Sequence, residues 1–143
     1  MDDETFLRAF EACALTPEQW RHRSHLKVAY LYLRRHGLVE ASEKMPLAIK
    51  ALNAAHNTPE GLDRGYHHTI TIAWLRILHT ALQEYGPAET ADAFLDGQPQ
   101  LLEKKILRLF YSRDRIRSWE AKAQFIEPDL APLPVSKSRQ FIT

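Results

Sequence analysis

The stretch Tyr66-His67-His68-Thr69-Ile70-Thr71-Ile72-Ala73-Trp74-Leu75-Arg76-Ile77-Leu78-His79-Thr80-Ala81-Leu82-Gln83-Glu84-Tyr85 decides the fold class. Its polar strip, Thr69, Arg76, Thr80 and Gln83, recurs at helical spacing rather than at every second position, so it reads as a helix and not a strand. The rest of its surface is apolar, which marks a central, largely buried helix. Gly86-Pro87 ends it.

Working outward, the chain reads as five or six helices with no strand. A first helix over Thr5 to Ala14 presents Phe6, Leu7 and Phe10, with Cys13 or Ala14, to a core. Thr16-Pro17-Glu18-Gln19 supplies an N-cap, a proline at the first helical position and a capping-box glutamine. The second helix ends at Gly37, after Arg34, Arg35 and His36. The spacing leaves open whether it runs from Pro17 or restarts after Trp20. A third helix covers Val39 to Ala55 with a bend expected at Pro46. Asn57 to Gly65 is a loop, and the opening stretch is the fourth helix. A short helix over Ala88 to Leu95 and a longer one over Gln100 to Phe110 follow, and Ser112 caps a further turn toward Trp119 and Phe125. The segment Glu127-Pro128-Asp129-Leu130-Ala131-Pro132-Leu133-Pro134 is extended, and its leucines make it a strap across the helices. Residues Ser136 to Thr143 are expected to be loosely held. The reading is one all-α domain over residues 1–143, a bundle of four main helices with additional C-terminal helices and an extended tail over 127–143.

Bulk properties narrow the function. With 143 residues, 45% hydrophobic and 26% charged, the chain can bury an independent core. A net charge of +1 gives no global field toward nucleic acid or anionic membrane, so neither is an expected partner. The single cysteine, Cys13, cannot close an internal disulfide. The acidic Met1-Asp2-Asp3-Glu4 is unlike a secretory signal, and charges interrupt every apolar stretch, so a cytoplasmic setting is expected.

The histidines carry the chemistry. His22 and His25, at i and i+3, share a helix face with Leu26, Ala29 and Leu33, opposite Arg23, Lys27 and Arg34. His67 and His68 begin the buried surface of the fourth helix. In an up-down-up-down arrangement the second and fourth helices start at the same end, where the third helix finishes with Asn53 and His56. The first helix brings Glu11 and Cys13 there. His22, His25, His56, His67 and His68 are therefore expected to converge, with one carboxylate near. A single inward histidine is usually a hydrogen-bonded core residue, and a convergent set suits a metal or catalytic site. His36 and His79 read as structural. The basic run Lys104, Lys105, Arg108, Arg113, Arg115 and Arg117, interleaved with Phe110 and Tyr111, reads as a solvated face before it reads as a phosphate or nucleic-acid surface. Trp20, Tyr66 and Trp74 are either pocket walls or packing.

Trp20-x-His22-x-x-His25-Leu26, Tyr66-His67-x-Thr69-Ile70-Thr71-x-x-Trp74, Tyr111-Ser112 and Pro128-Asp129-Leu130-x-Pro132-Leu133-Pro134 together resemble a group of small uncharacterised bacterial helical proteins. The resemblance runs from Trp20 to Pro134 and implies that these residues work as a set. Such proteins tend to carry Glu where this chain has His68, so the resemblance makes His68 a departure.

The first functional expectation is a small metal-dependent enzyme. His22, His25 and His67 would hold zinc, iron, nickel or copper, Thr71 would orient a ligand or water, and Asp129 on the strap would act as a base or outer partner. The second is a metal-free module binding a small molecule in the same histidine and aromatic pocket. A structural or interaction protein is the third.

Overall fold

The structure, a computed structural model, describes residues 1–136, and within them the fold is all-α. Among the described residues no strand forms, and one isolated bridge pairs Gly61 with Arg64. Helix α1 (Asp3–Glu11) starts where the Asp2 carboxylate accepts the Thr5 N–H at 2.7 Å, and it buries Phe6, Leu7 and Phe10. It starts two residues before the expected Thr5 because Asp2 supplies the cap. Cys13, at φ 57°, turns the chain into a short 3-10 segment, Pro17–Gln19, closed by the expected Thr16/Gln19 box.

The second helix restarts rather than running on from Pro17. The Ser24 hydroxyl accepts the Arg21 N–H at 3.2 Å and opens α2 (His22–Ala55). Gly37, at φ 81° and ψ 172°, breaks α2 into arms 22–36 and 38–55, so the expected second and third helices are both present. Pro46 is buried inside the second arm and keeps helical backbone angles; the break belongs to Gly37 alone. Helix α3 (His68–Tyr85) is the opening stretch of the sequence reading, and it packs chiefly on α2. Its apolar surface buries Ile72, Ala73, Trp74, Leu75, Ile77, Leu78 and Ala81. Thr69 does not belong to a polar strip. It is fully buried, donates its hydroxyl to the Gln124 carbonyl at 2.8 Å and accepts the Ile126 N–H at 3.2 Å.

Helix α4 (Ala91–Asp96) is capped by Thr90 and anchors to α2 through Arg23 and Lys27, both ion-paired to Asp92. The helix expected over Gln100 to Phe110 is instead two 3-10 segments, Pro99–Leu102 and Lys104–Leu109. Glu103 separates them: its backbone is extended, at φ −90° and ψ 104°, and its carboxylate takes the Lys105 N–H at 3.0 Å. A side chain that offers an acceptor so close by competes with helix continuation. Ser112 caps α5 (Arg113–Ile116) and Ser118 caps α6 (Trp119–Ala123).

The strap lies on the helices. Leu130 N–H donates to the Phe110 carbonyl at 2.9 Å, the Thr80 hydroxyl donates to the Pro134 carbonyl at 2.7 Å, and Leu133 packs against the core. Ser136, expected to be loose, is only 1% exposed and bonds Glu84 at 2.7 Å. Residues 137–143 of the expected tail lie outside the described residues. Among the described residues no helix is long and apolar enough to cross a membrane.

Candidate functional site: a histidine cavity

A cavity of about 690 Å³ opens among the start of α2, its far end and the start of α3. His22, His25, His56 and His67 line it, with Thr71, Asn53, Trp20, Tyr66 and Trp74. Four of the five histidines expected to converge are among its lining residues, without forming a ligand group. His68 is not: its Nδ1 shares a hydrogen bond with the Tyr66 hydroxyl at 2.7 Å, and it stays outside the lining. Glu11 and Cys13 are not in the lining either. Glu11 accepts the Tyr32 hydroxyl at 2.8 Å, and Cys13 is taken up by the turn after α1. No aspartate or glutamate lines the cavity, and Arg21 and Lys104 are its charged residues.

Each histidine is held by a definite partner. His22 Nε2 donates to the Leu101 carbonyl at 3.0 Å, and its ring meets Trp74 edge-on with centroids 4.8 Å apart. His56 Nε2 donates to the Leu15 carbonyl at 2.7 Å. A carbonyl accepts only from N–H, so in the neutral ring Nδ1 of both is left with a lone pair. His25 stacks on Trp20 at 3.9 Å, and Trp20 in turn stacks on Phe10 at 5.2 Å. Among the described residues no buried side-chain nitrogen or oxygen is left without a partner.

His67 differs. It is the N-cap of α3: Nδ1 accepts the Ile70 N–H at 3.1 Å while Nε2 donates to the Ile116 carbonyl at 2.8 Å. Both ring nitrogens are committed, so a metal would have to displace one of these bonds. Thr71 turns its hydroxyl back to the His67 carbonyl at 2.9 Å, which fixes the first turn of α3. Asp129 is not at the cavity. Its carboxylate accepts the Ser112 N–H at 2.8 Å and the Ser112 hydroxyl at 2.5 Å, and these bonds hold its carboxyl below the usual range. Among the described residues no group of three or more His, Cys, Asp or Glu side chains is arranged to hold a metal ion.

Burial favours the neutral form of three of these imidazoles, His22, His25 and His67. Burial pushes His25 down to about 4, with His22 and Lys104 adding repulsion. Burial likewise lowers His22 and His67. The Tyr66 hydroxyl is pushed up to about 12 by burial and stays protonated. The result is an acid-free chamber with neutral nitrogen acceptors, aromatic walls and two cations at its edge. Lys104 and the Leu101 carbonyl were missed in the sequence because the segment carrying them reads as one solvated helix.

Compared with known protein families, curated proteins and solved structures, the chain finds no match.

Proposed function

We propose that the histidine cavity binds a small, flat organic molecule that carries hydroxyl or amine donors. The observation behind this reading is the state of His22. Its Nε2 proton is given to Leu101, so the nitrogen left to a ligand is an acceptor beside the Trp74 ring. His56 repeats that arrangement, and His25 adds a ring held neutral by burial. Acceptors of this kind select donors, while Trp74 supplies apolar aromatic contact beside them for a ring-shaped ligand. The missing carboxylates disfavour a cationic ligand.

A metal ion on His22, His25 and His67 is the competing reading, and it requires His67 to release Ile70 or Ile116. Titration with resorcinol, followed by tryptophan fluorescence, tests the proposal because two of the three tryptophans line the cavity. Saturable binding that weakens about tenfold in His22→Ala and in Trp74→Leu is expected, the size of one lost buried hydrogen bond or aromatic contact. Equal binding by wild type and His22→Ala would overturn it. So would one equivalent of tightly held zinc that His22→Ala and His67→Ala both abolish.

A further inference from the structure

A second cavity, about 1040 Å³, adjoins the first, and Gly65, His67, Ile70 and Leu107 line both. Its charge is one-sided. Arg64, Arg108, Arg113, Arg117 and Lys122 line it, and Asp63 is its one acidic lining residue. Two of these cations already have partners. Arg117 grips Asp63 with Nε at 2.7 Å and Nη2 at 2.8 Å, and Lys122 donates to the Arg64 and Tyr66 carbonyls at 2.8 and 2.6 Å while pairing with Glu60 at 3.2 Å. Arg64, Arg108 and Arg113 form no ion pair with any described residue.

Arg64, Arg108 and Arg113 share one concavity without an ion pair of their own among the described residues, in a chain whose net charge is +1. Asp63, gripped by Arg117, also attracts Arg64 and Arg113, yet five cations face this one carboxylate, so like-charge repulsion favours an anion in the cavity. The guanidinium fork matches the paired oxygens of a phosphoryl or carboxyl group and binds either bidentately. An extended polyanion fits less well, because Asp114 and Glu120 stand exposed on α5 and α6 beside the same cavity.

We infer that this arginine-lined cavity is a binding site for a small oxyanion, with Arg64, Arg108 and Arg113 as its ligand-contacting residues. The site stands independently of whatever occupies the histidine cavity. Arg108 and Arg113 are exposed, so they can be removed without disturbing the core.

The test is calorimetric titration of the full chain at low salt with three probes: inorganic pyrophosphate, tricarballylate and a twenty-nucleotide oligo-dT. Saturable binding of pyrophosphate or tricarballylate is expected, and the tighter of the two identifies the phosphoryl or carboxyl source. The double variant Arg108→Ala/Arg113→Ala should weaken it about tenfold or more, and Lys44→Ala, an exposed cation outside the cavity, should not. Three results overturn the inference: no binding of either small anion, affinity unchanged in the double variant, or oligo-dT binding more tightly than both small anions.

Discussion

His67 donates its Nε2 proton to the backbone carbonyl of Ile116, 49 residues further along the chain, at 2.8 Å. The same ring caps α3 through Nδ1, so one side chain ties the start of the central helix to the end of α5. Replacing it with alanine removes both bonds. His67→Ala is expected to lose about 1–3 kcal/mol in denaturant unfolding. His67→Asn, which keeps a capping oxygen, should recover part of that. A His67→Ala protein as stable as wild type would show that neither bond matters to the fold.

Acid should weaken the fold through His25. Its folded pKa is depressed from 6.5 to about 4 by burial, beside His22 and Lys104. Below about 6.5 the unfolded chain therefore takes up a proton that the folded chain refuses. The stability contribution is fully present above that pH and is lost as pH falls toward about 4, by roughly 3 kcal/mol at most. His22, His67 and His68 are shifted in the same direction and add to the slope. Urea unfolding between pH 7.5 and 4.5 should show the decline, and His25→Gln should flatten it. An equally steep decline in the variant would assign the acid sensitivity elsewhere.

Gly65 and Gly37 make a matched pair of substitutions. Both have positive φ, at 83° and 81°, so alanine at either is strained by about 1–3 kcal/mol. Around Gly37 a Cβ would meet nothing within 4 Å, whereas at Gly65 it would lie 2.0 Å from the Glu60 Oε2 atom. That carboxylate holds the Tyr66 N–H at 3.1 Å and pairs with Lys122, so it cannot yield without opening the loop before α3. Gly65→Ala should therefore lower the melting temperature clearly more than Gly37→Ala. Equal shifts would mean that Glu60 is easily displaced.

Ending the chain after Phe125 should lower the melting temperature by several degrees. The cut removes the Ile126 carbonyl that accepts the Tyr111 hydroxyl at 2.8 Å, the Leu130 bond to Phe110 and the Leu133 contact with the core. A loss of about 1 kcal/mol moves a domain of this size by ~2–8 °C. An unchanged thermal melt would show that the strap only rests on the surface.

Asp129→Ala should destabilise the protein slightly and leave resorcinol binding unchanged, because its carboxylate serves the Ser112 turn. Loss of resorcinol binding at unchanged stability would return Asp129 to the histidine cavity.

Helix class was legible in the sequence because it follows from period: a helix of eighteen residues with a wide apolar surface has few alternatives. That His22, His56 and His67 would line one cavity was an expectation from helix direction, and the lining agrees with it without making them a ligand group. His68 was not legible: of two adjacent histidines one lines the cavity, and the other bonds the Tyr66 hydroxyl and stays out of the lining. Thr69 was misread because a buried hydroxyl looks like a surface one until its acceptor, the Gln124 carbonyl 55 residues away, is known. The 3-10 segments escaped because Glu103 suits a helix by propensity and leaves it through one local side-chain bond. The basic run spoke only of charge; that Arg108, Arg113 and Arg117 line one hollow with Arg64 and Lys122 depends on the tertiary fold.

Gly37 also sets the geometry of the histidine cavity from a distance. A straight helix of 34 residues would hold its ends about 51 Å apart, yet His22 and His56, at the two ends of α2, line one cavity. The helix must double back at the glycine, leaving arms about 22 Å and about 27 Å long. Rotation of either arm by about 5° would move its tip by about 2 Å. The helical path from His22 to His56 thus turns on a residue that lies in neither arm and lines no part of the cavity.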